Sequence, residues 1–238
     1  MISVILPCYN EIESVARYHD ELFPALEAVG EPYEVVAVDD GSTDGTAAAL
    51  NILGKSRPLR VLTHEKNRGL GAALRTGLAA ARGEWVTTLD ADLSFNPGQI
   101  RQLVACQKNT GADLVAGSPY LESDGLRDIP WRRRLASLAV NAFYRGAFSP
   151  KLTAYTPIFR LYRAAALKPL LGRLRSEGFE INAELAALFV QAGRGVAETP
   201  ATLTPRQTGA SKFSAWRELP PHLRLIARLL NPKENRLQ

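Results

Sequence analysis

The 238-residue chain is 46% hydrophobic and 22% charged, the balance of a globular protein with room for one large α/β domain or two small ones. Its two cysteines, Cys8 and Cys106, give neither a disulfide framework nor a metal-ligand spacing, and no stretch approaches the roughly 20 apolar residues that span a bilayer. The net charge of +5 is unevenly spread: residues 1–126 balance at −7, residues 127–175 at +10 with 11 basic residues against Asp128 alone, residues 176–200 at −3, and residues 201–238 at +5.

The apolar run over residues 2–6 is too short for a secretory signal and is stopped by Pro7, so a cytoplasmic location is expected. The run itself reads as a strand. Residues 11–29 carry helical spacing at Val15, Leu22 and Leu26, with Pro24 as an interruption. Strands follow at residues 33–38 and 59–63, a helix at 70–81, a strand at 85–89, a helix at 99–108 and a strand at 113–116. This alternation predicts βαβ units and a mostly parallel sheet. Residues 119–130 read as a loop, 131–148 as a basic amphipathic helix, 159–162 as a strand and 178–192 as a helix. Residues 200–210 form a polar loop, and 216–230 a last amphipathic helix interrupted by Pro220 and Pro221. The division expected is a catalytic domain over residues 1–214 and a C-terminal amphipathic helix and tail over 215–238.

In open α/β sheets ligands bind beyond the carboxyl ends of the strands, and the polar clusters fall there. The first strand ends in Pro7, Cys8, Tyr9, Asn10 and Glu11, the second in Asp39 and Asp40, the fourth in Asp90, Ala91 and Asp92. Three acidic strand ends in one sheet repel unless a cation sits among them, and Asp90 with Asp92 form the sharpest pair for Mg²⁺ or Mn²⁺. Such an ion neutralises a diphosphate as it leaves. One of Asp39 and Asp40 suits a base or ribose and the other a turn; Asp44, before Gly45 and Thr46, reads as a helix cap. Asn67, Arg68, Gly69, Leu70 and Gly71 precede a helix, where glycines permit close backbone approach and the helix start attracts phosphate. Leu74 stands where a dinucleotide fingerprint needs its third glycine, which disfavours a dehydrogenase.

The runs at residues 3–11, 38–46, 67–71 and 89–93 together resemble family 2 glycosyltransferases, in particular the dolichol- or polyprenol-phosphate sugar synthases, over residues 2 to about 212. The resemblance implies a glycosyltransferase A-type fold, a GDP- or UDP-sugar donor, Mg²⁺ or Mn²⁺, and inversion at the anomeric carbon. Carried over, Pro7, Tyr9, Glu11 and Asp39, with Asp40, line the nucleotide pocket, while Asp90, Ala91 and Asp92 hold ribose, metal and diphosphate. Ser94 stands where some relatives have Gln as a third ligand. Arg206, Gly209, Ser211 and Lys212 resemble the closing loop whose cations meet the diphosphate. Two departures fall on the acceptor side. Gly117 and Ser118 are followed by Pro119 where many of the branch carry Arg, and residues 152–160 lack the Asp that the branch carries before Phe-Arg.

Two acceptors are therefore open. A lipid phosphate is already ionised and needs little base assistance, and Arg132, Arg133 and Arg134 compensate for the lost Arg. A hydroxyl acceptor requires a base within hydrogen-bond reach, for which Glu180 and Glu184, four residues apart, are the candidates. A non-catalytic nucleotide-sugar-binding protein is the reading from a different class, and the Asp90/Asp92 pair argues against it. The basic block at 127–175, with Leu223, Ile226, Leu229 and Leu230 on one side of the last helix between Arg224 and Arg228, predicts peripheral contact with an anionic membrane, on its inner face. Nucleic acid is disfavoured because no module or stacking-aromatic pattern accompanies the cations. The oligomeric state is not set by the sequence.

Overall fold

In the computed structural model, the described residues are 1–122, 125–126, 129–149, 151–205 and 215–231. Seven strands, β1 Ile2–Cys8, β2 Tyr33–Asp39, β3 Leu59–Thr63, β4 Trp85–Thr88, β5 Leu114–Ser118, β6 Arg160–Arg163 and β7 Val196–Pro200, form one sheet in the order β3-β2-β1-β4-β6-β5-β7. All neighbours run parallel except β6, which is antiparallel to both β4 and β5. The reversal matters for the site. Thr88 pairs with Arg160, so the chain entering β6 arrives at the carboxyl ends of the parallel strands.

The β-branched runs alternate between the two faces. Ile5, Val36 and Val86 face a core with α4 Leu70–Ala80, α6 Trp131–Ala147, α8 Ile181–Gln191 and α9 Ala215–Leu230. Val4, Val35 and Ala37 face the opposite core with α1 Ile12–Ala16, α2 Phe23–Glu27, α3 Thr46–Leu53 and α5 Ile100–Thr110. The period of two in a strand produces this division. A short α7, Ala164–Leu167, follows β6.

The helix expected over residues 11–29 is divided by a π-helical turn at Tyr18–Leu22, with Pro24 in the first turn of α2, where its missing N–H is not needed. Strand β7 is absent from the sequence reading. All five of its residues are half-buried and show no alternation. The interruption expected at Pro220 and Pro221 does not occur, because α9 runs through both.

The membrane-facing stripe assigned to α9 also needs correction. Leu225 and Leu229 are buried, and Ile226 packs against the core. Arg228 pairs with the buried carboxylate of Glu184, and Gln191 Nε2 donates to Leu229 O at 2.8 Å. Most of that stripe is core because α8 offers it both an apolar face and a buried charge. The exposed apolar side chains lie instead on α6, at Trp131, Leu135, Leu138 and Phe143, with Leu223 and Leu230 on α9 beside it.

Candidate active site

The carboxyl ends of β1, β2 and β4 open into a cavity of about 440 Å³. Its donor side carries Pro7, Tyr9, Glu11, Asp40, Asp90 and Asp92, with Ala91 between the last two. The turn after β4 is held from three directions. Leu93, at φ +57°, lets its N–H reach Asp90 O at 3.1 Å. Tyr18, fully buried, donates its hydroxyl to Ala91 O at 2.8 Å, and Arg17 Nη1 donates to Asp92 O at 3.4 Å. Burial first, and the neighbouring Cys8 second, push the Tyr18 phenol well above its ordinary range, so it stays a donor.

Ser94, at the third-ligand position, bonds Asp92 directly. Its N–H and hydroxyl both donate to Asp92 Oδ1, at 2.9 and 2.5 Å, which fixes the orientation of that carboxylate. No group of three or more His, Cys, Asp or Glu among the described residues is arranged to hold a metal. A pair of carboxylates that completes its shell with substrate phosphates and water is the usual Mg²⁺ arrangement, and Asp90 and Asp92 on the wall of one cavity fit it.

Four residues that the sequence assigned to the nucleotide lie outside the cavity lining, and each has a structural task. Asn10, at φ +53°, donates its N–H to Ser42 Oγ at 2.9 Å and accepts Thr43 N–H on Oδ1 at 2.9 Å. Asp39 Oδ1 accepts Ser42 N–H at 3.3 Å. Arg68 and Gly69 turn their N–H groups onto Asp40, at 3.0 and 2.8 Å. Those amides are spent on a carboxylate and are not a phosphate cradle. Asp40 also meets His64 Nδ1 at 2.6 Å, and His64 Nε2 lies 2.9 Å from Thr76 Oγ1. Asp40 thus locks the 67–69 loop while lining the cavity.

The glycines of that loop serve a close approach between backbones. A Cβ at Gly69 would lie 2.7 Å from Glu177 O, and one at Gly71 would overlap Ser176 O and lie 2.7 Å from Glu177 Cα. Asp44 stands one residue before Gly45, the N-cap of α3, and not at the cap position expected for it. Its Oδ1 takes Thr46 N–H at 3.0 Å and the Thr46 hydroxyl at 2.5 Å, and its Oδ2 takes Ile12 N–H at 3.1 Å. Burial acts to raise this carboxyl, but those bonds outweigh it and hold it below its usual range.

The acceptor side is built by the strands flanking the reversal. The segment before β6 contributes Thr156 and Ile158, the loop after β5 Pro119 and Tyr120, and α6 Arg134, Ser137 and Val140. Asn141 ties these together: Nδ2 donates to Tyr120 Oη at 3.1 Å and Thr156 Oγ1 at 3.0 Å, while Oδ1 accepts Tyr155 N–H at 2.6 Å. The carboxylate that meets residues 152–160 stands on β7. Glu198 accepts Thr153 N–H, the Thr153 hydroxyl and Ala154 N–H at 2.7, 2.8 and 2.7 Å. Arg160, fully buried, donates to the carbonyls of Ala154, Tyr155 and Asn182.

The structure withdraws Glu184 as a base. It is fully buried, outside the cavity lining, and accepts Arg175 N–H at 3.0 Å, Ser176 N–H at 2.9 Å and the Arg228 guanidinium. Glu180 is the N-cap of α8, four residues before Glu184, whose N–H donates to its carbonyl at 2.9 Å; it is buried, and its Oε1 accepts Gly178 N–H at 3.3 Å. It too is outside the cavity lining.

Arg134 lines the cavity, and the side chains of Arg132 and Arg133 lie outside what is described. Arg206, Gly209, Ser211 and Lys212 fall outside the described residues. The chain leading to them is fixed at the cavity, with Thr204 N–H and hydroxyl both donating to Ser94 O at 2.9 Å. Sequence reading missed His64 behind Asp40 and His222 in the acceptor wall.

The family model for glycosyl transferase family 2 matches residues 3–171. The chain belongs to this glycosyltransferase family. This family 2 glycosyltransferase is 34% identical over 217 residues to the polyprenol monophosphomannose synthase of Mycolicibacterium smegmatis, covering 89% of this chain and 80% of that one. It is 30% identical over 214 residues to the undecaprenyl-phosphate 4-deoxy-4-formamido-L-arabinose transferase of Edwardsiella ictaluri, covering 89% of this chain and 62% of that one. A mannosyltransferase from Pyrobaculum calidifontis, solved with GDP-Man and Mn²⁺, superposes with a TM-score of 0.66 at 22% identity, over 95% of this chain and 64% of its own. The expected A-type fold is therefore the one found. No helix among the described residues is long and apolar enough to cross a membrane.

Proposed function

We propose that this glycosyltransferase moves a sugar from a nucleoside-diphosphate sugar to the phosphate of a polyprenyl phosphate at a membrane surface. The observation that carries the reading is the two-sided cavity. Carboxylates line its donor side, while its acceptor side is largely apolar, through Leu126, Ile129, Val140, Ile158 and Phe179, with Arg134 as the charged group among the described lining residues. An anionic headgroup on an apolar chain matches that surface. Both curated relatives are named for polyprenol- or undecaprenyl-phosphate substrates or products, which supports the same class.

A Mg²⁺ or Mn²⁺ ion held by Asp90 and Asp92 would neutralise the charge that builds on the leaving diphosphate. Tyr9 and Glu11 bound the nucleotide end. Arg134 holds the acceptor phosphate, one of whose oxygens forms the new bond to the anomeric carbon. The bond from that carbon to the donor phosphate breaks, and the nucleoside diphosphate leaves with the electron pair. This single displacement inverts the anomeric centre. No base is needed, because the attacking oxygen is already ionised. Arg206 and Lys212 are assigned to closing over the diphosphate and excluding water.

The exposed face of α6 would seat the enzyme on the bilayer. Trp131, at 66% exposure, and Phe143, at 59%, stand with Leu135 and Leu138 on one side of the helix, and Arg134 and Arg145 are exposed beside them. Apolar groups in the acyl boundary with arginines at anionic headgroups is an interfacial helix arrangement, and the cytoplasmic leaflet carries such lipid. The test is a panel of labelled GDP- and UDP-sugars with Mn²⁺ and vesicles containing either undecaprenyl phosphate or undecaprenol. Transfer to the phosphate with release of nucleoside diphosphate is expected; transfer to the alcohol and not the phosphate overturns the reading.

A further inference from the structure

Helix α9 places His222 in the acceptor wall of the cavity, 4% exposed. Its ring stands edge-on to Tyr144, with centroids 5.6 Å apart at 79°, and its Nδ1 lies 2.8 Å from the Tyr144 hydroxyl. Tyr144 is itself sealed, stacked on Tyr155 at 5.4 Å and on Phe148 at 6.1 Å.

The Tyr144 contact bears on where the ring hydrogen sits. Burial drives the Tyr144 phenol far above its ordinary range, so it keeps its hydrogen. A buried hydroxyl donates where it can, and His222 Nδ1 is the acceptor recorded for it. With Tyr144 as the donor, Nδ1 accepts, and in a neutral imidazole the hydrogen then sits on Nε2. Burial also lowers the imidazole's own protonation, opposed by the nearby Glu180 carboxylate. No bond to Nε2 is recorded among the described residues. The result is a neutral N–H donor, oriented by a buried phenol, on the acceptor side of the cavity.

We propose that His222 Nε2–H binds an oxygen of the acceptor phosphate, acting with Arg134, and that Tyr144 is the positioning residue that sets its tautomer. This rests on the phosphate-acceptor reading. It also gives that end of the cavity the second donor that Pro119, in the loop after β5, has no side chain to supply. In that tautomer His222 is a donor to the acceptor and not its base, because the nitrogen able to accept faces Tyr144.

The test uses the full chain with farnesyl phosphate as acceptor and farnesol as control. His222→Phe should raise the acceptor KM about tenfold to a hundredfold, the loss of one hydrogen bond to a charged group, with the nucleotide-sugar KM unchanged. His222→Gln, which returns an N–H at the same depth, should recover most of the loss. Tyr144→Phe should give an intermediate rise, since it frees the tautomer without removing the ring. Nitrogen-15 spectra should show His222 as the Nε2–H tautomer, with that resonance moving on addition of farnesyl phosphate. An unchanged acceptor KM in a folded His222→Phe enzyme, or an Nδ1–H tautomer, overturns the inference alone. If the wild type neither binds nor glycosylates farnesyl phosphate, the inference falls together with the phosphate-acceptor reading.

Discussion

Replacing Glu184 should damage the fold and spare the chemistry. Its carboxylate is fully buried at the start of α8, where it closes Arg175 and Ser176 N–H groups and anchors Arg228 of α9. In Glu184→Gln each bond falls from charge-assisted to neutral strength, a loss of about 1 kcal/mol apiece and about 3 kcal/mol in all. The Arg228 side chain, 27% exposed, can rehydrate, which keeps the cost from rising further. In Arg228→Leu the carboxylate stays buried without its cation, at a cost of about 3–5 kcal/mol, held to the lower end by the two backbone donors. For a chain of this size about 3 kcal/mol lowers Tm by about 6–12 °C. Thermal and urea unfolding should give both shifts, and the double variant should be less destabilised than the sum, since each change removes the other's partner. Measured well below the transition, kcat per folded molecule should stay within about threefold of wild type, a difference of less than 1 kcal/mol in the barrier. A Glu184→Gln enzyme with unchanged Tm and kcat reduced by two orders of magnitude would refute this reasoning and restore Glu184 as a base.

Asp92→Asn, or EDTA, should abolish transfer, and Ser94→Ala should raise the Mn²⁺ concentration for half-activity about tenfold, because Asp92 loses an orienting donor; full activity in EDTA would disprove the metal assignment. Gly71→Ala should destabilise by about 2–4 kcal/mol in urea, since its Cβ overlaps Ser176 O and the Gly71 N–Glu177 O bond of 2.7 Å must lengthen; a change under about 0.5 kcal/mol would mean the contact yields freely. His222 has its protonation lowered in the folded state, so the unfolded chain binds more protons there. Its share of stability is present above about pH 6.5 and is lost as pH falls toward the folded-state value. His222→Phe should accordingly flatten the acid limb of a stability–pH curve and leave the alkaline limb alone. Leu135→Asp with Phe143→Asp should reduce flotation with anionic vesicles at low salt while leaving nucleotide-sugar binding intact; unchanged flotation would move the contact elsewhere.

The donor half was legible because its chemistry is local. Asp90 and Asp92 follow an apolar strand directly, and a parallel sheet sends such ends to one edge. Gly69 and Gly71 were legible only in part, for the opposite reason. Local sequence shows that glycine permits close approach, but not that the approaching backbone is Ser176 and Glu177, more than 100 residues on. Spacing on α8 likewise shows which way Glu184 faces along its own helix and says nothing of Arg228 across from it. The α9 stripe was correct as an amphipathic pattern, yet amphipathicity does not distinguish a membrane from a protein core. His222 carried no signal, since its role depends on Tyr144 being 78 residues away in sequence and 2.8 Å away in space.

The bonds from Glu198 to Thr153 and Ala154 limit how this enzyme can be recombined with its relatives. Residues 152–160 carry no carboxylate of their own, and the one that the Thr153 and Ala154 N–H groups meet stands on β7. A chimera that imports this segment together with its own Asp would set a second carboxylate beside Glu198 in a half-buried pocket, and like charges there repel. Swapping the segment therefore requires exchanging position 198 with it, although more than 30 residues separate the two stretches in the chain. Libraries built by shuffling this enzyme should have no crossover between them.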